Sequence, residues 1–166
     1  ELYSRALSWL NERYPGAFYV ADVLEGLGGI ALERGDLTKA EEVFLRALAI
    51  RERMAPGSTR LAMSLSGVGR VHLRAGRLPK AAEYLCRATA VLDQQRKKLG
   101  GAAEGRFAFG GTTAESYRDC LAALVDNGRP EEAFHVLERG RARSFLDLLA
   151  ERDLRWTADL PPELAR

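Results

Sequence analysis

The sequence is poor in the residues from which most chemical sites are built. It has two cysteines, two histidines and two tryptophans. Cys86 and Cys120 lie far apart in apolar surroundings, with no CxxC and no Cys/His cluster, so no metal ligand set is expected. Both read as unpaired small core residues, which places the chain in a reducing, cytoplasmic compartment. Charge of neither sign dominates: 25 Lys and Arg against 23 Asp and Glu leave a net +2. That balance argues against nucleic acid or an anionic membrane as partner. No apolar run approaches the roughly 20 residues of a membrane helix, and no secretory signal is present. The chain opens on "ELYSRALSWL", without Met and in the middle of a helical pattern, so it reads as a piece of a longer protein.

What the sequence does contain is itself, three times over. "GDLTKAEEVFLRALAI" from Gly35 returns as "GRLPKAAEYLCRATAV" from Gly76 and as "GRPEEAFHVLERGRAR" from Gly128. Gly76, Ala81 and Ala88 lie 41 residues after Gly35, Ala40 and Ala47. Gly69 follows Gly28, Gly57 follows Gly16, and Ala47 follows Ala6 at the same step. In the third copy, Gly128, Ala133 and Gly140 lie 52 residues after Gly76, Ala81 and Ala88, so an insertion of 11 residues precedes it. Such periodicity marks a solenoid of stacked supersecondary units.

Each copy has one layout. A first helix carries an apolar stripe at helical spacing: Val23, Leu24, Leu27, Ile30 and Ala31; then Leu61, Leu65, Val68, Val71 and His72; then Tyr117, Cys120, Leu121 and Leu124. A glycine stops it (Gly35, Gly76, Gly128), suited to the left-handed conformation after a helix end. A second helix follows with a small residue (Ala40, Ala81, Ala133), a large one a turn later (Phe44, Leu85, Leu137) and a further small one (Ala47, Ala88, Gly140). Helices are expected near 1–14, 18–34, 37–54, 59–75, 78–99, 112–127 and 130–152, in an all-α superhelix of antiparallel helix pairs. The domain spans 1–152: a partial repeat 1–16, repeats 17–57, 58–99 and 112–152, and an insertion 97–111. Residues 153–166 read as a linker.

These small and large alternations resemble the tetratricopeptide repeat family, through Leu27-Gly28, Ala31, Gly35, Ala40, Phe44 and Ala47 and again through Val68-Gly69, Gly76, Ala81, Leu85 and Ala88. The unit of 41 exceeds the usual length of about 34 residues, as in long-unit members similar to kinesin light chains. The resemblance implies a protein–protein interaction scaffold with a peptide or partner protein in its inner groove. The last third resembles the junction between tetratricopeptide arrays and caspase-like CHAT protease domains of bacterial proteins, through Glu138, Arg139, Arg141, Ala142, Arg143, Leu146, Leu148, Leu149, Pro161 and Pro162. It implies an attached CHAT protease domain downstream, with this chain as its sensing or regulatory part.

The first helices line the inner wall of such a superhelix. The inward, non-core positions are Asp22, Glu25, Gly29 and Glu33; then Met63, Ser66, Arg70 and Arg74; then Glu115, Arg118, Ala122 and Asp126. The groove is expected to change from acidic to basic to mixed, suiting a peptide that carries both charges. A carboxylate clamp for acidic chaperone tails would need Lys and Asn where Glu25, Gly29, Ser66 and Arg70 stand, so that role is not expected. Phe107 and Phe109, in the glycine-rich insertion, are either an apolar plug on the array or an exposed anchor; the plug is expected. Arg139, Arg141 and Arg143 form either a solvated helix face with pairs such as Arg143–Asp147 or a docking surface for a following domain.

Other motifs carry less. "GLGGIA" has a dinucleotide-like spacing at Gly26, Gly28 and Ala31, but Gly28 recurs as Gly69, where helix packing explains it. His72 falls on an apolar face and is expected to be a hydrogen-bonded packing histidine; neither it nor His135 has metal-site neighbours. Ser66, Ser116 and Ser144 lack a nucleophile elbow. Glu41-Glu42 and Glu131-Glu132 sit at helix starts, where the helix dipole favours them. No catalytic residue, cofactor or metal is assigned. The alternative to a scaffold is a nucleic-acid- or nucleotide-responsive module using Arg70, Arg74 and the last-helix arginines. Exposed end repeats could also bring copies together as oligomers.

Overall fold

The computed structural model describes residues 2–14, 16–99 and 103–151. Among these, all regular structure is helical: α1 (Leu2–Arg13), α2 (Phe18–Glu33), α3 (Leu37–Met54), α4 (Thr59–Arg74), α5 (Leu78–Leu99), α6 (Ala103–Asp126) and α7 (Pro130–Glu151). The repeat register thus becomes pairs of antiparallel helices, α2–α3, α4–α5 and α6–α7, preceded by the lone second-type helix α1.

Three identical turns join the helices of each pair. Gly35, Gly76 and Gly128 have φ of 76°, 70° and 70°. Each glycine N–H bonds back three residues, and the following N–H bonds back five: Gly35 to Leu32 and Asp36 to Ala31, Gly76 to Leu73 and Arg77 to His72, Gly128 to Val125 and Arg129 to Leu124. This satisfies carbonyls left over at the first helix's end, and only glycine takes the left-handed step without steric cost. Where a helix starts, Asp36 accepts from the Lys39 N–H at 3.0 Å and Ser58 from the Leu61 N–H at 3.1 Å, capping α3 and α4.

The apolar stripes merge into three consecutive cores, each bridging one unit to the next. The first joins α1, α2 and α3 around Val20, Leu24, Val43 and Ala47. The second joins pairs one and two around Phe44, Leu61, Leu65, Val68 and Leu92. The third joins pairs two and three around Leu85, Tyr117, Cys120, Leu124 and Val136. Phe44 is a wedge in this scheme. Its ring lies where a Cβ would stand on Gly28 of its own pair and on Gly67 of the next. Both glycines are therefore required by the ring's bulk, not by backbone conformation, as packing and not nucleotide binding predicts for Gly28. Leu85 plays the same part against Gly69.

Two expectations are corrected. Cys86 and Cys120 are not free thiols: they form a disulfide between α5 and α6, with Cα atoms 4.8 Å apart. Cys120 is fully buried, as expected, but the premise of a reducing compartment falls. Stacking of antiparallel helices brings together positions 34 residues apart, which sequence spacing alone does not reveal. The insertion is also not a separate segment. α5 runs to Leu99 and α6 starts at Ala103 instead of near 112, so most of the extra residues lengthen a first helix to 24 residues, against 16 in α2 and α4. Glycine costs about 1 kcal/mol inside a helix relative to alanine without forbidding it, and Ala103 and Glu104 are good helix starters. Phe107 and Phe109 therefore lie on helical backbone; their side chains, and that of Arg143, fall outside the described ones, as does all of 152–166.

Candidate partner-binding surface

The curvature of the array selects its inner wall. α2 touches α4 and α4 touches α6, whereas no Cα of α3 comes within 8 Å of one of α5. The first helices are thus crowded together on one side and the second helices splayed on the other. The side formed by α2, α4 and α6 is where residues from three repeats can converge on one ligand.

Of the twelve wall positions, about half are committed to holding the wall together. Arg51 on α3 is fully buried and reaches Asp22 at 2.6 Å and Glu25 at 3.3 Å, both on α2. The Phe18 ring stacks under its guanidinium, 4.0 Å from the ring centre. Asp22 also meets Arg60 of α4 at 3.2 Å, and Glu25 accepts from the Ser64 hydroxyl of α4. One acidic patch is thereby stitched to the next pair. Arg70 of α4 pairs with Glu115 and Asp119 of α6. Arg74 donates to the Leu32 carbonyl at the end of α2, capping a helix one repeat away. The expected acidic-to-basic change is therefore largely neutralised internally. Ser66, expected on the wall surface, is buried, and its hydroxyl has no partner. The tight stacking of α4 between its neighbours encloses it.

The remaining positions are open. Glu33, Arg118, Ala122 and Asp126 are exposed, as is Met63, while Gly29 is half-buried with free space where a side chain would be. Outside the wall, Arg139 and Arg141 are exposed on α7, and Arg141 pairs with Glu138 at 3.6 Å, one helical turn back. Such an exposed pair one turn apart is of the solvated-face kind.

Sequence reasoning missed Arg51 altogether. The signal was available. Arg51 lies four residues after Ala47 and three after Leu48, on the buried stripe of α3, and Asp22 and Glu25 are one turn apart on α2. It also underrated Glu41, assigned only to a helix start. Glu41 in fact receives both terminal nitrogens of Arg77, at 2.6 and 3.2 Å, across the junction between pairs one and two. His72 packs beside it, stacked on Tyr84 with ring centres 5.4 Å apart and Nε2 3.9 Å from Glu41. It is a packing histidine, as expected, but not a hydrogen-bonded one: its Nδ1 is buried without a partner.

This junction should respond to pH. Burial holds the His72 imidazole below its ordinary pKa of 6.5; the positive charges of Arg77 and Lys80 push the same way and Glu41 and Glu83 oppose. The unfolded chain takes up that proton more readily than the folded one, so stability is full above about pH 6.5 and falls as pH drops below it. The Arg77 hydrogen bond holds Glu41 below the usual carboxylate range, which adds a second loss as pH falls below about 4.5. Urea denaturation between pH 8 and 5 is expected to show the first loss in the native chain and to lose it in His72→Phe. A native profile that is flat from pH 7 to 5 would contradict the assignment.

Among the described residues, no group of three or more His, Cys, Asp or Glu could hold a metal ion. Likewise, no helix among them is long and apolar enough to cross a membrane.

Comparison with known proteins bears on the fold. The family model of the tetratricopeptide repeat matches residues 19–94. Among solved structures, BtubC (BKLC) from P. vanneervenii superposes with a TM-score of 0.69 at 20% identity, covering 87% of this chain and 55% of that one. The nearly identical TPR-like repeats of a candidate kinesin light chain from Podosopora anserina superpose with a TM-score of 0.69 at 18% identity, covering 93% of this chain and 66% of that one. The chain therefore spans between half and two thirds of these proteins' lengths. Comparison with curated proteins returns no significant match. Residues 19–94 thus carry the tetratricopeptide repeat signature, and the chain folds as a tetratricopeptide-like α-α superhelix.

Proposed function

We propose that this chain is a protein–protein interaction scaffold that holds a peptide or partner protein along the wall formed by α2, α4 and α6. One observation carries the reading. The wall is tied together from within by ion pairs, the Arg51 pairs among them buried, while Gly29, Glu33, Met63, Arg118, Ala122 and Asp126 stay open on three adjacent helices. A pre-built surface of this kind loses little conformational freedom on binding. Gly29 and Ala122 leave room for a ligand backbone, Met63 offers an adaptable apolar contact, and the remaining charges are of both signs. The protein acts by binding rather than by catalysis, and the arginine-rich α7 serves as the approach to a following CHAT-type domain. The nucleic-acid alternative is weakened because Arg70 and Arg74, its main cations, are already engaged.

A displayed peptide library tests this. Selected peptides are expected to bind the native chain and to weaken about tenfold or more on Met63→Glu or Arg118→Glu, with the thermal midpoint unchanged. Absence of peptide binders, together with steeply salt-dependent affinity for nucleic acid, would replace this reading with the alternative.

A further inference from the structure

The join between the second and third pairs is made differently from the join before it. At the first join, Arg77 reaches back to Glu41 on the preceding second helix. In register, Arg77 corresponds to Arg129, and Ala82 stands where Glu41 would be. Arg129 pairs instead with Glu132 of its own helix. The second join has the Cys86–Cys120 bond, where the first has Leu45, largely exposed, and Val68, enclosed. The first join thus holds by packing and polar contacts alone, so the bond is an addition to the repeat and not a requirement of it. Its two ends differ in access: Cys120 is wholly enclosed, whereas Cys86 is only partly buried. Cys120 also sits on α6 between Arg118 and Ala122, two of the open wall positions, so the bond clamps that stretch of the wall to α5. Three other ties hold it there. Arg70 pairs with Glu115 and Asp119, and such partly exposed pairs contribute little in water. The Tyr117 hydroxyl donates to Asp93, and an apolar core lies around Leu85 and Leu124.

We propose that the Cys86–Cys120 bond is a redox switch on the partner-binding wall. Oxidised, it holds Arg118, Ala122 and Asp126 of α6 in line with the open positions of α2 and α4. Reduced, it lets α6 and α7 loosen, and the wall shortens to two helices. The switch rests on the scaffold function proposed above and regulates that same surface. The reductant is a dithiol. One of its thiolates attacks Cys86 Sγ, the more accessible sulfur, and the S–S bond breaks with Cys120 Sγ leaving as a thiolate that takes up a proton. The second thiol of the reductant then attacks the mixed disulfide and frees the Cys86 thiol. Two electrons and two protons pass to the protein, and the reductant departs as its own disulfide. A small disulfide such as oxidised glutathione reverses the exchange.

Two measurements on the full chain test this, each with and without dithiothreitol. In hydrogen exchange, the amides of α6 and α7 are expected to exchange about tenfold or more faster after reduction, while those of α2 and α3 keep their rates. For binding, peptides are selected from a displayed library on the oxidised chain and, separately, on the reduced one. Peptides selected on the oxidised chain should weaken about tenfold on reduction, because α6 must then be ordered at the cost of binding. They should recover on reoxidation with oxidised glutathione. Arg118→Glu should weaken them in the oxidised chain and change nothing further in the reduced one, whereas Met63→Glu should weaken them in both. Cys86→Ser should bind as the reduced chain does and ignore dithiothreitol. The proposal is overturned if reduction leaves exchange in α6 and α7 unchanged, or if Arg118→Glu acts alike in both forms. It is equally overturned if reduction speeds exchange in all helices together, since the bond is then a staple of the whole fold. Peptides that bind both forms equally overturn the switch alone. If neither form selects a peptide, the scaffold reading fails and the switch falls with it.

Discussion

Arg51→Met is expected to lower the free energy of unfolding by about 3–5 kcal/mol, the usual consequence of removing one partner from a buried ion pair. The guanidinium is fully buried, stacked on Phe18 and shared between Asp22 and Glu25. Methionine fills part of the space but leaves Glu25, itself mostly buried, without its cation. Ser64 and Arg60 offset only part of that loss, through Glu25 and Asp22 respectively. For a chain of this size the thermal midpoint should fall by about 6–20 °C. The effect should be non-additive. Adding Glu25→Gln to Arg51→Met removes the stranded charge and should recover part of the stability, because replacing a whole buried pair costs far less than breaking it. Thermal and urea denaturation of the native chain, both single variants and the double variant would measure this. A change below about 1 kcal/mol in Arg51→Met would mean that the pair contributes little beyond packing.

Reduction of Cys86–Cys120 is expected to cost about 3–4 kcal/mol, the chain-entropy estimate for cross-linked residues 34 apart. The bridge fastens α5 to α6, and so fastens the whole third pair to the second. Loss of the bond should therefore destabilise α6 and α7 first, with α2 and α3 less affected. Denaturation with and without dithiothreitol should show the shift in the native chain and none in Cys86→Ser, which should resemble the reduced protein. Alkylation after denaturation should modify no cysteine in the unreduced native chain. Two modified cysteines without prior reduction would show the bond to be absent.

Much of the fold was legible because solenoids repeat their instructions. Glycines at 41- and 52-residue steps marked the turns, and all three adopt the left-handed conformation. Ala40, Ala81 and Ala133 marked the close approaches, and all three are buried. These are local demands of backbone geometry and side-chain volume, so each copy states them independently. The sequence was less informative wherever two copies meet. Glu41 and the two cysteines act across junctions, and Arg51 acts between the two helices of one pair; their partners lie 26 to 36 residues away in the chain. A register describes what corresponds between repeats. It does not say which residue of one repeat touches which residue of the next. For the same reason the division of the twelve positions into buried, engaged and open members, with Ser66 enclosed and Arg70 and Arg74 paired, follows only from the packing of α4 against its neighbours. The glycine-rich insertion misled for a different cause: composition argued for a loop where the chain extends a helix.

The disulfide also reroutes mechanical load. In a solenoid pulled from its two ends, tension normally passes through every residue in turn. Here it would cross from α5 to α6 through the sulfur atoms, and the polypeptide between Cys86 and Cys120 would bear none of it. That shielded stretch, 34 residues in sequence, corresponds to about 110 Å of extended chain. While the bond is intact, this length stays stored even if the surrounding helices yield, and reduction releases it into the force-bearing path. The join between the second and third pairs therefore cannot lengthen through that stretch while the bond holds, whatever the rest of the array does under load.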